Sequence, residues 1–110
     1  MTDDTNITDS GKFADKEKMK EKEIIKQIKE YLKTLPECFA WKEHGGMYGT
    51  EGLPDLIICF KGKFVAFEVK AEKGKLTVLQ AAILRKIRQA GGRAEVVRSV
   101  DEARQIMESL

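Results

Sequence analysis

In the stretch GLPDLIICFKGKFVAFEVKAEKGKLTVLQ, residues 52–80, three charged side chains interrupt otherwise apolar runs: Asp55 after Pro54, then Glu68 and Lys70 at the end of the second run. Strand side chains alternate between faces, so Glu68 and Lys70 share a face with Ala66, opposite Val65, Phe67 and Val69. At a rise of ~3.3 Å per residue, their Cα atoms stand about 7 Å apart. Only Lys61-Gly62 separates the two runs, which predicts an antiparallel hairpin. Pairing Phe60 with Lys63 across that turn sets Asp55 against Glu68. Two carboxylates facing each other across strands repel. They are tolerated if protonated, if Lys70 bridges them, or if the register keeps them apart. They become useful if a hard divalent cation joins them, because Mg²⁺ takes one or two carboxylates, water and phosphate oxygens. Lys70 could then orient or deprotonate an attacking water, or steady charge on a phosphate. Plainer readings stand beside this one. Asp55 is also a turn residue after a proline, and acid-x-Lys on a strand is common as a solvent-facing salt bridge.

Regular elements must position these groups. Residues 1–12 lack apolar periodicity and read as a disordered acidic tail, leaving a single domain over 13–110. A helix is predicted from Lys16 to Leu35, with Ile24, Ile28, Tyr31, Leu32 and Leu35 on one stripe and Pro36 ending it. Cys38 to Trp41 reads as a short strand. His44 to Gly52, with four glycines, reads as a flexible loop leading to Asp55. Asp55–Phe60 and Lys63–Lys70 are the hairpin strands. A second helix is predicted over Val78–Ala90, with Leu79, Ala82, Ile83, Ile87 and Ala90 as its apolar face, Thr77 as its cap and Gly91-Gly92 as its stop. Ala94 to Val97 forms a fourth strand. Ser99 and Glu102 then open a last helix with a capping-box pattern. The fold class expected is α/β: a small mixed β-sheet flanked by helices, in the order α-β-β-β-α-β-α. The fourth strand arrives through a helical crossover and is expected parallel to the third.

Bulk properties agree with one globular domain. The chain has 110 residues and is 42% hydrophobic. No apolar run approaches the ~20 residues of a membrane span, and the polar, acidic start argues against a secretory signal. A reducing cytoplasm is the expected compartment. The Asn6-Ile7-Thr8 sequon is a chance match there. Cys38 and Cys59 sit in separate apolar runs, which suggests buried free thiols over a disulfide. One histidine and two isolated cysteines argue against zinc. Net charge is +2, but residues 1–15 hold four Asp and one Lys, so the remainder carries +5. A basic body is compatible with a polyanionic partner and equally with ordinary solvated helix surface.

The order "PD", twelve residues, "EVK", then a helix with an early Gln resembles the PD-(D/E)xK nuclease superfamily, and within it the VRR-NUC, or virus-type replication-repair, nucleases. The likeness runs from Gly45 to about Val97, with the first helix in the expected place. It implies a restriction-endonuclease-like core. It implies that Asp55 and Glu68 bind Mg²⁺, with Mn²⁺ as a possible substitute, that the carbonyl of Val69 adds a ligand, and that Lys70 is the catalytic lysine. It also implies that Gln80 belongs to the site and that a glutamate of the first helix lies near the metal. Glu23, bordering the Ile24 stripe, is the candidate; Glu21 and Glu30 look less well placed. Gln80 has an alternative role, since Thr77-x-x-Gln80 fits a capping box. Glu23 equally suits an exposed helix surface. Members occur as small stand-alone phage and bacterial proteins and as the catalytic end of the Fanconi-associated nuclease; resemblance to the stand-alone kind implies a bacterial or phage-infected cell.

DNA-facing residues are sought around the same edge. Glycines in the loop before Asp55 let backbone amides approach phosphate. Tyr48 suits stacking on an unpaired base or packing the loop down. Lys73, Lys75 and Lys42 form a positive rim for phosphate contact, or simply aid solubility. Arg85, Lys86, Arg88 and Arg93 make a further basic patch. His44 reads as an incidental loop residue or as a general base or DNA contact. The leading expectation is a metal-dependent endonuclease hydrolysing DNA without a covalent intermediate. The resemblance suggests selectivity for branched DNA such as four-way junctions or flaps, and a homodimer would present two sites to two strands. The alternatives are a non-catalytic DNA-binding module that retains the fold and a non-nucleolytic metal-binding or assembly protein.

Overall fold

A computed structural model describes residues 20–44 and 51–110. The expected acidic tail, the helix turn before Lys20, and Tyr48 lie outside the described residues. Within them the order is α1 (Glu21–Leu32), β1 (Cys38–Lys42), β2 (Leu56–Phe60), β3 (Lys63–Val69), α2 (Val78–Gln89), β4 (Arg93–Val97) and α3 (Val100–Glu108). The sheet order is β1-β2-β3-β4, antiparallel except for the parallel β3–β4 pair. The α/β class and the element order expected from the sequence are those observed.

The hairpin register follows from its turn. Lys61 and Gly62 have φ of +52° and +80°, the two positive-φ residues that a tight turn of this hand requires. Phe60 therefore pairs with Lys63, and Leu56 with Phe67. One residue beyond, Asp55 has left the ladder with β3, while Glu68 keeps its pairing with β4, opposite Val96. The sheet end holding these residues thus has acids on neighbouring strands.

Alternation sorts the strands into two apolar layers. Val65, Phe67 and Val69 join Leu56, Ile58 and Val97 beneath α1 and α3, which contribute Ile24, Ile25, Ile28, Leu32, Ala103 and Met107. Ala66, Ile57 and Ala94 face α2 through Leu84. Here the structure corrects the face assigned to α2. Leu84 is its buried residue, while Leu79 is 44% exposed. Leu79 and Ile83 pack instead against Gly52: a Cβ at Gly52, whose φ is +82°, would stand 2.7 Å from Leu79 Cγ. The helix is apolar on more than one side, so periodicity alone did not say which side meets the sheet.

Helix ends show smaller differences. α1 ends at Leu32, and Leu35 follows in a turn whose amide donates to the Leu32 carbonyl. The Thr77–Gln80 capping box closes α2 reciprocally. At α3, Ser99 accepts the Glu102 amide, but Glu102 Oε1 accepts from the Arg98 amide at 2.7 Å, one residue earlier than the motif implies. Both cysteines are free, yet Cys59 is exposed and Cys38 only half-buried. Buried thiols were expected. Cys59 lies on the α2 side of β2, beyond the area that one helix covers. Among the described residues, no helix is long and apolar enough to cross a membrane.

Candidate active site

Asp55, Glu68 and Lys70 converge at the end of the sheet where β3 finishes. Asp55 stands just before β2, where its carbonyl accepts the Glu43 amide at 2.8 Å. Its Oδ2 accepts the Val69 amide at 2.7 Å. In extended chain a residue's N–H and C=O project to the same side, so the Val69 carbonyl faces the Asp55 side too. The next amide, that of Lys70, turns the other way and donates to the Val97 carbonyl at 3.0 Å. The last residues of β3 thus present a carbonyl to the acids while still anchored to β4.

Glu68 and Lys70 project from β3 onto the α2 side. Both are almost enclosed, at 2% and 8% exposure, and are the buried charged residues among those described. Lys70 Nζ lies 3.6 Å from Glu68 Oε2. That cation does not balance the site. Burial first, and then the charge of Asp55, push the Glu68 carboxyl up to about 8; Lys70 pulls the other way, and a hydrogen bond with Asp55 and the charge of Glu21 add to the rise. Burial and the neighbouring carboxylate therefore favour the protonated form of Glu68 at neutral pH.

A buried acid held toward its neutral form beside a second carboxylate marks a place where positive charge is favoured, and a divalent cation could take the place of the proton. The donor set fits a hard ion: two carboxyl groups and a backbone carbonyl, all oxygen. Among the described residues no cluster of three or more His, Cys, Asp or Glu side chains forms a closed metal cage. An open set of oxygen donors of this kind would leave room for water and phosphate oxygens.

The two glutamates of the first helix turn stand in different surroundings. Glu23 is exposed, whereas Glu21 is half-buried and bears electrostatically on Glu68. A Cβ at Gly74 would stand 3.5 Å from Glu21 Oε2, which puts that carboxylate against the loop after Lys70. Glu21 lies three, four and seven residues before the buried Ile24, Ile25 and Ile28, so it continues their stripe past the core edge, and the packing of α1 on the sheet brings that edge toward Glu68.

Gln80 occupies a double position. It lies one turn from Leu84 on the sheet-facing side of α2, toward the acidic end. Its Oε1 accepts the Thr77 amide at 3.0 Å, which leaves its amide NH₂ as the group able to face the site. Lys42 is half-buried and pairs with Leu56, beside Asp55. Lys73 and Lys75 are exposed on the loop after Lys70, and His44 is exposed before the loop that leads to Asp55.

Sequence reading missed Arg98. Its Nη1 lies 2.6, 3.2 and 2.8 Å from the carbonyls of Ala71, Glu72 and Gly74. It ties the loop after Lys70 to the end of β4. No local pattern announces this, because the partners lie more than 20 positions away.

Comparison with known proteins agrees with this fold. The model of the VRR-NUC domain family matches residues 8–101. A solved VRR_NUC domain superposes with a TM-score of 0.69 at 27% identity, covering 80% of this chain and 94% of that one. No curated protein matches the sequence.

Proposed function

The chain belongs to the VRR-NUC domain family, a nuclease-type DNA-processing domain, and from that premise we propose that it is a Mg²⁺- or Mn²⁺-dependent endonuclease that hydrolyses phosphodiester bonds in branched DNA. The observation that carries this reading is the convergence of Asp55, Glu68 and the buried Lys70 at the end of β3, where Asp55 Oδ2 accepts the Val69 amide at 2.7 Å and Lys70 Nζ lies 3.6 Å from Glu68 Oε2.

Asp55, Glu68 and the Val69 carbonyl would hold the ion. When bound, it supplies charge that polarises a phosphate and acidifies a water. Lys70 is held by Glu68 at the same face, where its ammonium faces the charge that develops on phosphate and orients the attacking water. Glu21 and the Gln80 amide flank the site: the Glu21 carboxylate can accept a hydrogen bond from that water, and the Gln80 NH₂ can donate one to it. The phosphodiester breaks with water as nucleophile, so no enzyme side chain is esterified. Lys73 and Lys75 offer phosphate contacts on the outer rim.

A domain of this size grips little of a four-way junction, and a twofold dimer would place two sites on two strands. Phe39 and Trp41 support that reading. They are 68% and 42% exposed on edge strand β1, with ring centroids 5.7 Å apart. Light scattering of the wild type and of Phe39→Glu tests it: a monomeric wild type removes the dimer.

The test of catalysis is cleavage of linear, flapped and four-way DNA by the purified chain, with Mg²⁺ and with EDTA. Cleavage should require the metal, favour the branched substrates, and fall at least ~100-fold in Lys70→Ala. Metal-dependent cutting that survives in Lys70→Ala would overturn the assignment. Salt-sensitive DNA binding with no cutting of any substrate would identify a binding module that keeps the nuclease fold.

A further inference from the structure

A groove of about 350 Å³ lies between α1 and the edge strand β1, lined by Lys22, Lys26, Lys29, Lys33 and Lys42, with Glu30 as the acid among them. Four of the lysines form one flank of α1; the fifth comes from β1. Among the described residues none of the five is in an ion pair. An isolated exposed lysine is usually a solvated surface residue. Five converging on one groove from two elements concentrate positive potential in it, which raises its attraction for a polyanion.

The groove has a direction. Lys22 follows Glu21, whose charge bears on Glu68. Lys42 pairs with Leu56, next to Asp55, and the following amide, of Glu43, donates to the Asp55 carbonyl at 2.8 Å. Both walls therefore start at the acidic end of the sheet and run away from it. From Lys22 to Lys33 α1 rises ~16 Å, which matches about five phosphates of one strand of duplex DNA. Spacings of three and four residues keep the lysines on one helix flank.

We propose that this groove is the track along which the DNA backbone approaches the Asp55–Glu68–Lys70 site. The inference rests on the nuclease reading of that site, and it adds Lys22, Lys26, Lys29 and Lys33 as phosphate-contacting residues. These contacts neutralise the backbone without reading bases, so they set affinity and position the strand while leaving sequence preference unaffected.

The test separates this claim from catalysis by measuring binding in EDTA, where cleavage does not occur. The probe is a fluorescein-labelled linear duplex, read by anisotropy over a series of salt concentrations. In the variant Lys26→Ala/Lys29→Ala/Lys33→Ala, the slope of log affinity against log salt should shrink by about 2.7, some 0.9 per lost contact. A control variant, Lys63→Ala/Arg104→Ala, removes two cations at the start of β3 and on α3, away from the groove, and should keep most of the slope. Circular dichroism should give the same helix content for both, since alanine favours helix. An unchanged slope in the groove variant, an equal loss in the control, or a wild type with no salt-sensitive binding would each overturn the track. A failure of the nuclease reading looks different: the slope would depend on the groove lysines while the wild type cuts nothing in Mg²⁺.

Discussion

The Asp55 carboxylate accepts the Val69 amide at 2.7 Å, which joins the start of β2 to the end of β3 just where their ladder stops. The same carboxyl group is thus both a structural acceptor and half of the acidic pair. Asp55→Asn keeps an acceptor and removes the charge. It should leave stability within about 0.5 kcal/mol while abolishing cleavage and lowering the Glu68 pKa. Asp55→Ala removes both and should cost ~1–2 kcal/mol in urea denaturation through the unmet amide. Equal destabilisation by the two variants would mean that charge, not the hydrogen bond, holds this corner together.

The acidic pair also dictates how stability responds to pH. Between the ordinary carboxyl range and about 8, the folded chain keeps a proton on Glu68 that the unfolded chain releases. Metal-free stability should therefore fall as pH rises through that window, and its contribution should level off above it. Mg²⁺ or Mn²⁺ at millimolar level should flatten the slope and raise Tm most at the alkaline end, because the cation binds the ionised folded form. Glu68→Gln should be more stable than the wild type at pH 8 without metal, and inactive. Thermal melts from pH 5 to 9 with EDTA or metal decide this; a metal-free Tm that rises across the window contradicts it.

Glu21 and Glu23 differ by half a turn and should differ in consequence. Glu21→Gln removes a charge that bears on Glu68, so it should weaken metal binding and slow cleavage about tenfold or more. Glu23→Gln alters an exposed position and should leave both unchanged. Isothermal titration with Mn²⁺ and initial cleavage rates distinguish the pair, and equal effects would show that neither belongs to the site.

Arg98 binds three carbonyls of the loop after Lys70. Arg98→Ala should cost ~2 kcal/mol in chemical denaturation, as expected for charge-assisted bonds lost from a half-buried group. Arg98→Lys should recover only part, since the lysine side chain ends one bond short of the Nη1 position that meets all three carbonyls. Limited proteolysis should then cut first between Ala71 and Lys75. Full stability in Arg98→Ala would remove this residue from the account.

Much of this was legible because it is local. Pro36, Lys61-Gly62, Thr77-x-x-Gln80 and Gly91-Gly92 mark where elements turn or stop, and alternation from Val65 to Lys70 assigns faces without reference to the rest of the chain. The hairpin register also follows from its two-residue turn, and with it the approach of Asp55 to Glu68. The choice between Glu21 and Glu23 was harder. Both border the Ile24 stripe, and a helix with no side-chain cap at its N-terminus gives no local mark of where its first turn meets the sheet.

The amino-acid sequence by itself determined the element order, the pairing of β2 with β3 and the placing of two acids and a lysine at one end of the sheet, because turn chemistry and strand alternation act over a few residues. Only the tertiary structure decided which side of α2 is buried, which glutamate of α1 faces Glu68, and that Arg98 holds the loop behind Lys70. Those outcomes depend on how helices seat on the sheet, a matter of packing between segments distant in the chain, where burial rather than local propensity selects the side chain that faces inward.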